Sequence, residues 1–214
     1  HRNRGFETDI TLYPAIWGGG KLGITNTISL STYRNKVTDV KGGYNYTPVA
    51  GFSDVHKTIV KGEPLGVIIG NTWLRDGAGN RIIGSDGFPL VNNTKQIIGN
   101  PIPDFTLKTT QRISYKKFEF SFDIEWEKGG DRWNGTEALL DYYGRSAGTG
   151  TLRNITNYVF YGVQTNGTRN NIPVSFYSPS APLSQNRWVR YGHAGVAEAY
   201  IQRADAIRLR NIGI

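Results

Sequence analysis

The chain has 214 residues, 27 glycines, 12% aromatic residues and no cysteine, a composition that favours a β protein with many turns and excludes a disulfide framework. Its formal net charge is +8, but the 25 lysines and arginines are scattered without a long basic run, which favours a solvated surface over nucleic-acid binding. Mean hydropathy is −0.42 and no apolar run approaches about 18 residues, which excludes a transmembrane helix but not a transmembrane β-barrel, whose lumen-facing residues dilute its hydropathy.

Alternating apolar and polar residues near the start of the chain predict two antiparallel strands joined by a short glycine-rich link. The first strand covers about residues 5–14, with Phe6 and Ile10 on its apolar face. Its pattern stops at Pro14, which cannot donate a hydrogen bond to a neighbouring strand. The second strand covers about residues 21–37 and again has one apolar and one polar face.

Regular alternation is then lost over residues 39–103, which are rich in turn signals such as Gly42-Gly43, Asp76-Gly77 and Asp86-Gly87. An irregular stretch of this length is uncommon in a compact soluble domain. Outer-membrane barrels, by contrast, combine long extracellular loops with short periplasmic turns. We therefore expect residues 39–103 to form an extracellular loop.

The most regular pattern in the chain predicts a hairpin of strands at 104–115 and 118–128, joined by Lys116-Lys117. These strands have about the nine to eleven residues that a tilted strand needs to cross a bilayer. The apolar face of the second strand is expected to contact lipid and carries Phe118, Phe120, Phe122, Ile124 and Trp126. The opposite, charged face of the hairpin is expected to line the barrel lumen and carries Lys108, Arg112, Glu119, Asp123, Glu125 and Glu127.

A two-residue connection also fixes the register of this hairpin, because like faces must lie together. It places Ile113 opposite Phe120, Leu107 opposite Trp126 and Lys108 opposite Glu125, with Arg112 diagonal to Glu119 and Asp123. Lys-Lys is an unusual turn dipeptide, since a type I′ turn favours Asn-Gly or Asp-Gly.

A second irregular stretch, residues 129–202, predicts another extracellular loop, and a last strand at 204–214 sets Ile207 and Leu209 against Arg208 and Arg210. Short turns thus alternate with long loops. Five strands cannot close a barrel, and an open sheet edge cannot face lipid. We therefore expect an all-β chain that forms one part of a larger antiparallel transmembrane barrel and, because it starts without a signal peptide, is not the complete precursor of an exported protein.

Six segments carry a family pattern in their order and spacing across nearly the whole chain. They are GFETDITLYP (5–14), TYRNKVTDV (32–40), VKGEPLG (60–66), IIGNPIPDF (97–105), YKKFEFSFDIEWEKGGDRWNGT (115–136) and ADAIRLRNIGI (204–214). Together they resemble the SusC/RagA family of TonB-dependent outer-membrane transporters of Bacteroidota. The resemblance lies in the later part of the family's barrel, and the family's plug domain has no counterpart in this sequence.

The resemblance implies residence in the bacterial outer membrane and active import of a large nutrient, commonly a glycan or a peptide. In this family the plugged barrel is capped by a SusD-like surface lipoprotein and energised through TonB, and a dimer of transporter and lipoprotein pairs is suggested. One departure is the segment RDGAGNRIIGSDG (75–87), where some members carry an acidic DxNGDG-like stretch. Because it lacks regularly spaced acidic ligands, a calcium site is unsupported.

Other chemistries receive little support from the sequence. The acidic row of the hairpin resembles the paired carboxylates of a hydrolase, but cations predicted beside it favour a salt-bridge network. His56 and His193 lack the spacing of metal ligands, and there is no nucleophile-elbow motif. We expect no catalytic residue, no metal and no cofactor, and a protein that is not an enzyme.

The two long loops are rich in aromatic side chains that can stack on sugars or on peptide side chains. The substrate-binding candidates are Trp73, Trp133, Tyr142, Tyr143 and Trp188. The alternative for each of them is packing within the loops or against the lipoprotein. Two other functions remain open: a soluble β-sandwich carbohydrate-binding module, and a TonB-independent outer-membrane porin or assembly barrel.

Overall fold

The computed structural model describes residues 1–17, 22–40, 46–52, 54–180, 182 and 195–214. Its strands are β1 (Arg2–Trp17), β2 (Leu22–Lys36), β3 (Tyr46–Gly51), β4 (Val55–Val60), β5 (Val67–Trp73), β6 (Ile82–Ile83), β7 (Val91–Gly99), β8 (Pro103–Tyr115), β9 (Phe118–Gly129), β10 (Asp131–Trp133), β11 (Val163–Gln164), β12 (Ile201–Arg203) and β13 (Ala206–Gly213). Its helices are α1 (Gly135–Tyr142) and α2 (Ala147–Leu152), with a 3₁₀ helix at Ala197–Tyr200. The protein is mostly β.

The largest element is a five-stranded antiparallel sheet in the order β1-β2-β8-β9-β13. It contains the strands of the predicted hairpin, and their register is confirmed: Ile113 pairs with Phe120, Leu107 with Trp126 and Lys108 with Glu125. The two edge strands, β1 and β13, are not paired with each other, so the sheet does not close on itself within the described residues.

Two β-bulges interrupt the regular alternation of the long sheet. The pattern in β1 was expected to stop at Pro14, yet the strand runs on to Trp17, because a one-residue register shift between Leu12 and Ala15 absorbs the proline. A second shift, between Leu209 and Asn211, inserts one extra residue into β13. Without it the isoleucines before and after the shift would lie on opposite faces of the sheet.

The stretch 39–103 is not irregular, which corrects the expectation of a loop without regular structure. It contains a second antiparallel sheet in the order β3-β4-β5-β7. Sequence alternation misses these strands because they are short and because β5 is buried along almost its whole length. A strand that is buried on both sides has no polar face to alternate with.

The stretch 129–202 also contains regular elements, in particular the two short helices. Helix α1 begins after Asn134, whose side-chain Oδ1 accepts a hydrogen bond from the backbone N–H of Glu137 at 3.0 Å. Helix α2 begins after Ser146, whose Oγ accepts from the backbone N–H of Thr149 at 3.1 Å. Both are side-chain N-caps that satisfy a donor otherwise left free at a helix start.

The buried cores lie in these two inserted stretches and not on the long sheet. One core contains Ile83, Phe88, Phe160, Val174 and Phe176. The other contains Val55, Ile68 and Ala197, with Ile98, Trp133 and Ile201 packed against it. In the long sheet, Gly129 is the one buried residue among those whose exposure is described. Both insertions leave the sheet at the same end, where β2 and β9 finish and β8 and β13 start.

The turn between β8 and β9 is strained at one residue. Lys116 has φ 53°, the one positive φ at a non-glycine residue in the described part of the chain. For an L-residue this left-handed conformation costs about 1–2 kcal/mol, whereas glycine adopts it freely. The neighbouring Lys117 has no such φ.

We therefore expect Lys116→Gly to raise the free energy of unfolding by about 0.5–1 kcal/mol, the steric gain being partly offset by the greater entropy of glycine in the unfolded chain. Urea titration of the refolded chain measures the change. Lys117→Gly is the matched control, since it adds the same entropy without relieving a positive φ, and it is expected to be neutral or destabilising. Equal stabilisation by both variants would show that Lys116 is not strained.

Candidate functional site

One face of the long sheet is largely apolar, although Asn26, Thr109 and Gln111 share it. The residues predicted to contact lipid, Phe118, Phe120, Phe122, Ile124 and Trp126, alternate along β9 on this face. Neighbouring strands extend it with large side chains that are themselves exposed, including Phe6, Ile10, Leu12, Ile207, Leu209 and Ile212. Phe118 and Ile207 are each 74% exposed.

Large exposed apolar side chains thus occur on several strands of one face, whereas soluble monomers rarely expose contiguous apolar patches of more than a few hundred Å². No described element packs a buried core against it. Within the described residues, this face is therefore left exposed.

The opposite face is charged and carries a network of ion pairs centred on β9. Arg208 Nη1 lies 2.7 Å from Glu127 Oε2 and 3.3 Å from Glu125 Oε1. Arg210, the residue at the bulge in β13, brings its Nη2 to 2.6 Å from Glu125 Oε1. Arg132, which lies in β10 just after the end of β9, brings its Nη2 to 3.5 Å from Glu127 Oε1.

This network corrects one detail of the sequence prediction. Lys108 and Arg112 lie on the same face as the acidic row, in the predicted register, but neither makes an ion pair with a described carboxylate. The arginines of β13 bind Glu125 and Glu127 instead, because β13 lies on the other side of β9. Glu119 and Asp123 share this face and make no ion pair within the described residues.

A cluster of hydrogen bonds joins the long sheet to the inserted stretches. Asp205 accepts from the backbone N–H of Gly129 at 2.6 Å and from Lys128 Nζ at 2.8 Å. Gly129 itself has φ 86°, and a Cβ at this position would lie 2.5 Å from Asp104 Oδ2. Glycine is thus required where β9 turns away from the sheet.

A second set of bonds fixes the segment before β12 against β5. The side-chain amide of Asn71 donates to Gly195 O and accepts from Ala197 N, both at 2.6 Å. Glu198 accepts from Arg75 through both oxygens, at 2.6 and 3.1 Å, and from the backbone N–H of Trp73 at 2.9 Å. We call this arrangement of Arg75, Trp73 and Glu198 the β5 clamp.

The clamp lowers the pKa of the Glu198 carboxyl group. Burial of Glu198 by itself raises the pKa, but the hydrogen bonds from Arg75 and Trp73 and the positive charge of Arg75 outweigh burial and hold the pKa below its usual 4.5. The same pairing raises the pKa of Arg75. Glu198 is therefore charged at neutral pH and contributes to holding the 3₁₀ helix on β5.

The aromatic residues that were candidates for substrate binding lie in different parts of the structure. Trp73 is only 4% exposed, and the guanidinium of Arg81 lies 5.3 Å from the centre of its ring. Tyr142 and Tyr143 meet edge to face at 5.0 Å at the end of α1, where Tyr143 is 61% exposed. Trp188 lies outside the described residues.

Trp133 is the candidate that lines the largest cavity described, of about 630 Å³. Its ring lies 5.5 Å from that of Phe52, at an angle of 58°. Phe52 is 61% exposed and comes from the stretch between β3 and β4. Sequence reasoning missed Phe52, because the aromatic candidates were all tryptophan or tyrosine and because nothing in the chain order places it beside β10.

A smaller cleft of about 360 Å³ lies beside Trp73 and is lined in part by Glu137, Asp141 and Tyr200. Asp141 accepts from the hydroxyls of Tyr200, at 2.8 Å, and of Ser146. Glu137 Oε2 accepts from the side chains of Asn134 and Gln202 at 3.0 and 2.6 Å. These carboxylates tie helix α1 to its neighbours, which is a structural use of their oxygens.

Two further observations concern the described residues only. No group of three or more His, Cys, Asp or Glu side chains in them is arranged to hold a metal ion. No helix in them is both long and apolar enough to cross a membrane.

Comparison of the sequence with protein-family models and with curated proteins gives no match. The resemblance to SusC/RagA transporters therefore stays an expectation from the six segments quoted above.

We expect the β5 clamp to make stability pH-dependent on the acid side. Because the pKa of Glu198 is lower in the folded than in the unfolded chain, its contribution is complete above about pH 4.5 and is lost as the pH falls through the folded-state value. Unfolding free energy measured from pH 7 to pH 3 should fall more steeply for the native chain than for Glu198→Gln.

The control for this experiment is Glu63→Gln, which removes a glutamate that has no arginine partner within the described residues. It should keep the steeper pH dependence of the native chain. If Glu198→Gln showed the same slope as the native chain, the clamp would not contribute to stability through its charge.

Proposed function

We propose that this chain forms part of the wall of an outer-membrane β-barrel, in a SusC/RagA-like TonB-dependent importer of large nutrients. The observation that carries the proposal is the long sheet, which has one exposed apolar face, one charged face and two open edges. Lipid would cover the apolar face, and the charged face would line the lumen. The fold class that follows is an antiparallel transmembrane barrel segment.

Strand length supports this proposal. β1, β2, β8 and β9 contain 16, 15, 13 and 12 residues. Globular proteins usually have strands of about five or six residues, and a tilted strand needs about nine to eleven to cross the hydrocarbon core. The extra length lets the strands continue beyond the bilayer into the inserted stretches.

The open edges support a barrel that is larger than five strands. In lipid each unpaired N–H or C=O group costs several kcal/mol, so β1 and β13 both need a partner strand. In the proposed transporter these partners are other strands of the same barrel wall. The remaining partners follow from the family resemblance: a plug domain that contacts TonB, a SusD-like lipoprotein, and a second transporter and lipoprotein pair.

Placement of the inserted stretches supports an orientation. Both leave the same end of the sheet, while the β8–β9 connection at the other end is only two residues long. In outer-membrane barrels the short turns are periplasmic and the long excursions are extracellular. Residues 39–103 and 129–202 would thus face the outside, where the nutrient and the lipoprotein bind. The function we propose is transport, without a catalytic step.

The alternatives are a soluble carbohydrate-binding β-sandwich and a porin that works without TonB. A sandwich buries one face of each sheet against the other. The long sheet has no such cover among the described residues, which favours a membrane protein. A plug domain encoded in the same reading frame would favour an importer over a porin.

Two adjacent residues of β9 test the assignment of the faces. Phe122→Arg places a charge on the proposed lipid face at a cost of about 2–4 kcal/mol near the bilayer midplane, so we expect the variant to be lost from the outer-membrane fraction. Asp123→Asn alters the proposed lumen face and should assemble normally. The measurement is the amount of folded protein in purified outer membranes.

Phe122→Leu serves as the control, since it shortens the same side chain without adding charge and should assemble. Normal assembly of Phe122→Arg together with loss of Asp123→Asn would invert the two faces. If the native protein remained in the aqueous phase after detergent extraction, the membrane proposal itself would be wrong.

A further inference from the structure

The cavity beside Trp133 is one half of a longer groove. A second cavity of about 440 Å³ shares Phe52 and His56 with it. Phe52 and His56 therefore line both spaces, whose volumes lie in the range of about 300–1,000 Å³ that is typical of ligand pockets. We call this feature the Phe52 groove.

A backbone hydrogen bond joins Phe52 to the start of β4. The backbone N–H of Phe52 donates to Val55 O at 2.8 Å. The residue before it, Gly51, has φ 134°, and a Cβ there would lie 2.6 Å from Val55 O. The close approach of β3 to β4 thus requires glycine at 51 and determines where the ring of Phe52 projects.

Apolar side chains form the floor of the groove, while His56, Lys57, Asp131 and Arg132 also line it. The buried nitrogens His56 Nε2 and Trp133 Nε1 have no hydrogen-bond partner among the described residues. Val55 and Ile68 are each 3% exposed and belong to the core against which Trp133 packs. The rings of Phe52 and Trp133 are tilted against each other, which forms a notch and not a flat platform. A notch of this shape suits a bulky apolar side chain, which a peptide can supply and a glycan lacks.

The rim of the groove has an excess of positive charge. Lys57 is exposed and has no ion-pair partner among the described residues. The side chain of Arg132 is 64% exposed, and its ion pair with Glu127 is long, at 3.5 Å. The nearby acid, Asp131, already accepts from the backbone N–H of Asn100 at 2.9 Å. A ligand with negative charge next to its apolar group would match this rim.

We propose that the Phe52 groove binds an extended acidic peptide, with a large apolar side chain in the notch between Phe52 and Trp133 and carboxylates near Lys57 and Arg132. The inference rests on the proposed function, which makes the bound peptide a nutrient. It deepens that function because it selects peptide over glycan as the ligand of the extracellular region. The edge strand β3, whose six residues are all exposed, contributes to the lining of the groove, and no described strand pairs with its outer edge, where an extended chain could add.

Calorimetric titration of the full chain, refolded in detergent, tests the proposal with four probes of similar size. The first is a capped tripeptide with phenylalanine between two glutamates. In the second the glutamates are replaced by lysines, in the third the phenylalanine is replaced by alanine, and the fourth is trigalacturonate, an acidic glycan. We expect the first to bind at least ten-fold more tightly than each of the others.

Three variants locate the binding site. Phe52→Ala removes a ring that is largely exposed, so the fold should persist while affinity for the first tripeptide falls by about ten-fold. Lys57→Glu should weaken it several-fold, with less effect at high salt. Tyr161→Ala is the matched control, because Tyr161 is 79% exposed and lies by Asn80 and Arg169, away from the groove.

The proposal is overturned if the first tripeptide does not bind at millimolar concentration, if the lysine tripeptide or trigalacturonate binds as tightly, or if Phe52→Ala leaves its affinity unchanged. These outcomes are independent of the membrane test on Phe122 and Asp123. A chain that assembles in the membrane but ignores the peptide would retain the proposed function and lose only this inference.

Discussion

Each strand of the long sheet can keep its apolar residues on one side only while its register matches that of its neighbours, because a slip of one residue exchanges the two faces. Five strands meet this condition together, and two bulges are needed to maintain it. The bulge in β13 keeps Ile212 on the apolar face with Leu209 and at the same time brings Arg210 to Glu125. A single inserted residue thus serves both faces.

The charged face depends on this register as well. Arg208 lies directly opposite Glu125 and also reaches Glu127, so these two carboxylates of β9 are paired with β13. Lys108 and Arg112 are left with fewer charge partners on the same face. In the proposed barrel these two cations, together with Glu119 and Asp123, are available to groups that enter the lumen.

The sequence predicts those elements whose residues are close together in the chain and which have one apolar and one polar face. The β8–β9 hairpin could be predicted down to the pairing of Lys108 with Glu125, because its alternation is long and its connection short. Strand β5 could not be predicted, since it is buried on both sides and shows no alternation of apolar and polar residues. The groove could not be predicted either, because Phe52 and Trp133 come from different insertions, before β8 and after β9.

The unequal lengths of the connections have a consequence for the order in which the sheet is assembled. The β8–β9 hairpin closes through two residues, whereas the pairings of β2 with β8 and of β9 with β13 must each close a long insertion. Loop closure over a longer stretch costs more entropy and slows pairing. We expect the hairpin to form first and to act as the template on which its neighbours align, so that an error made at its two lysines would be copied into both flanking strands.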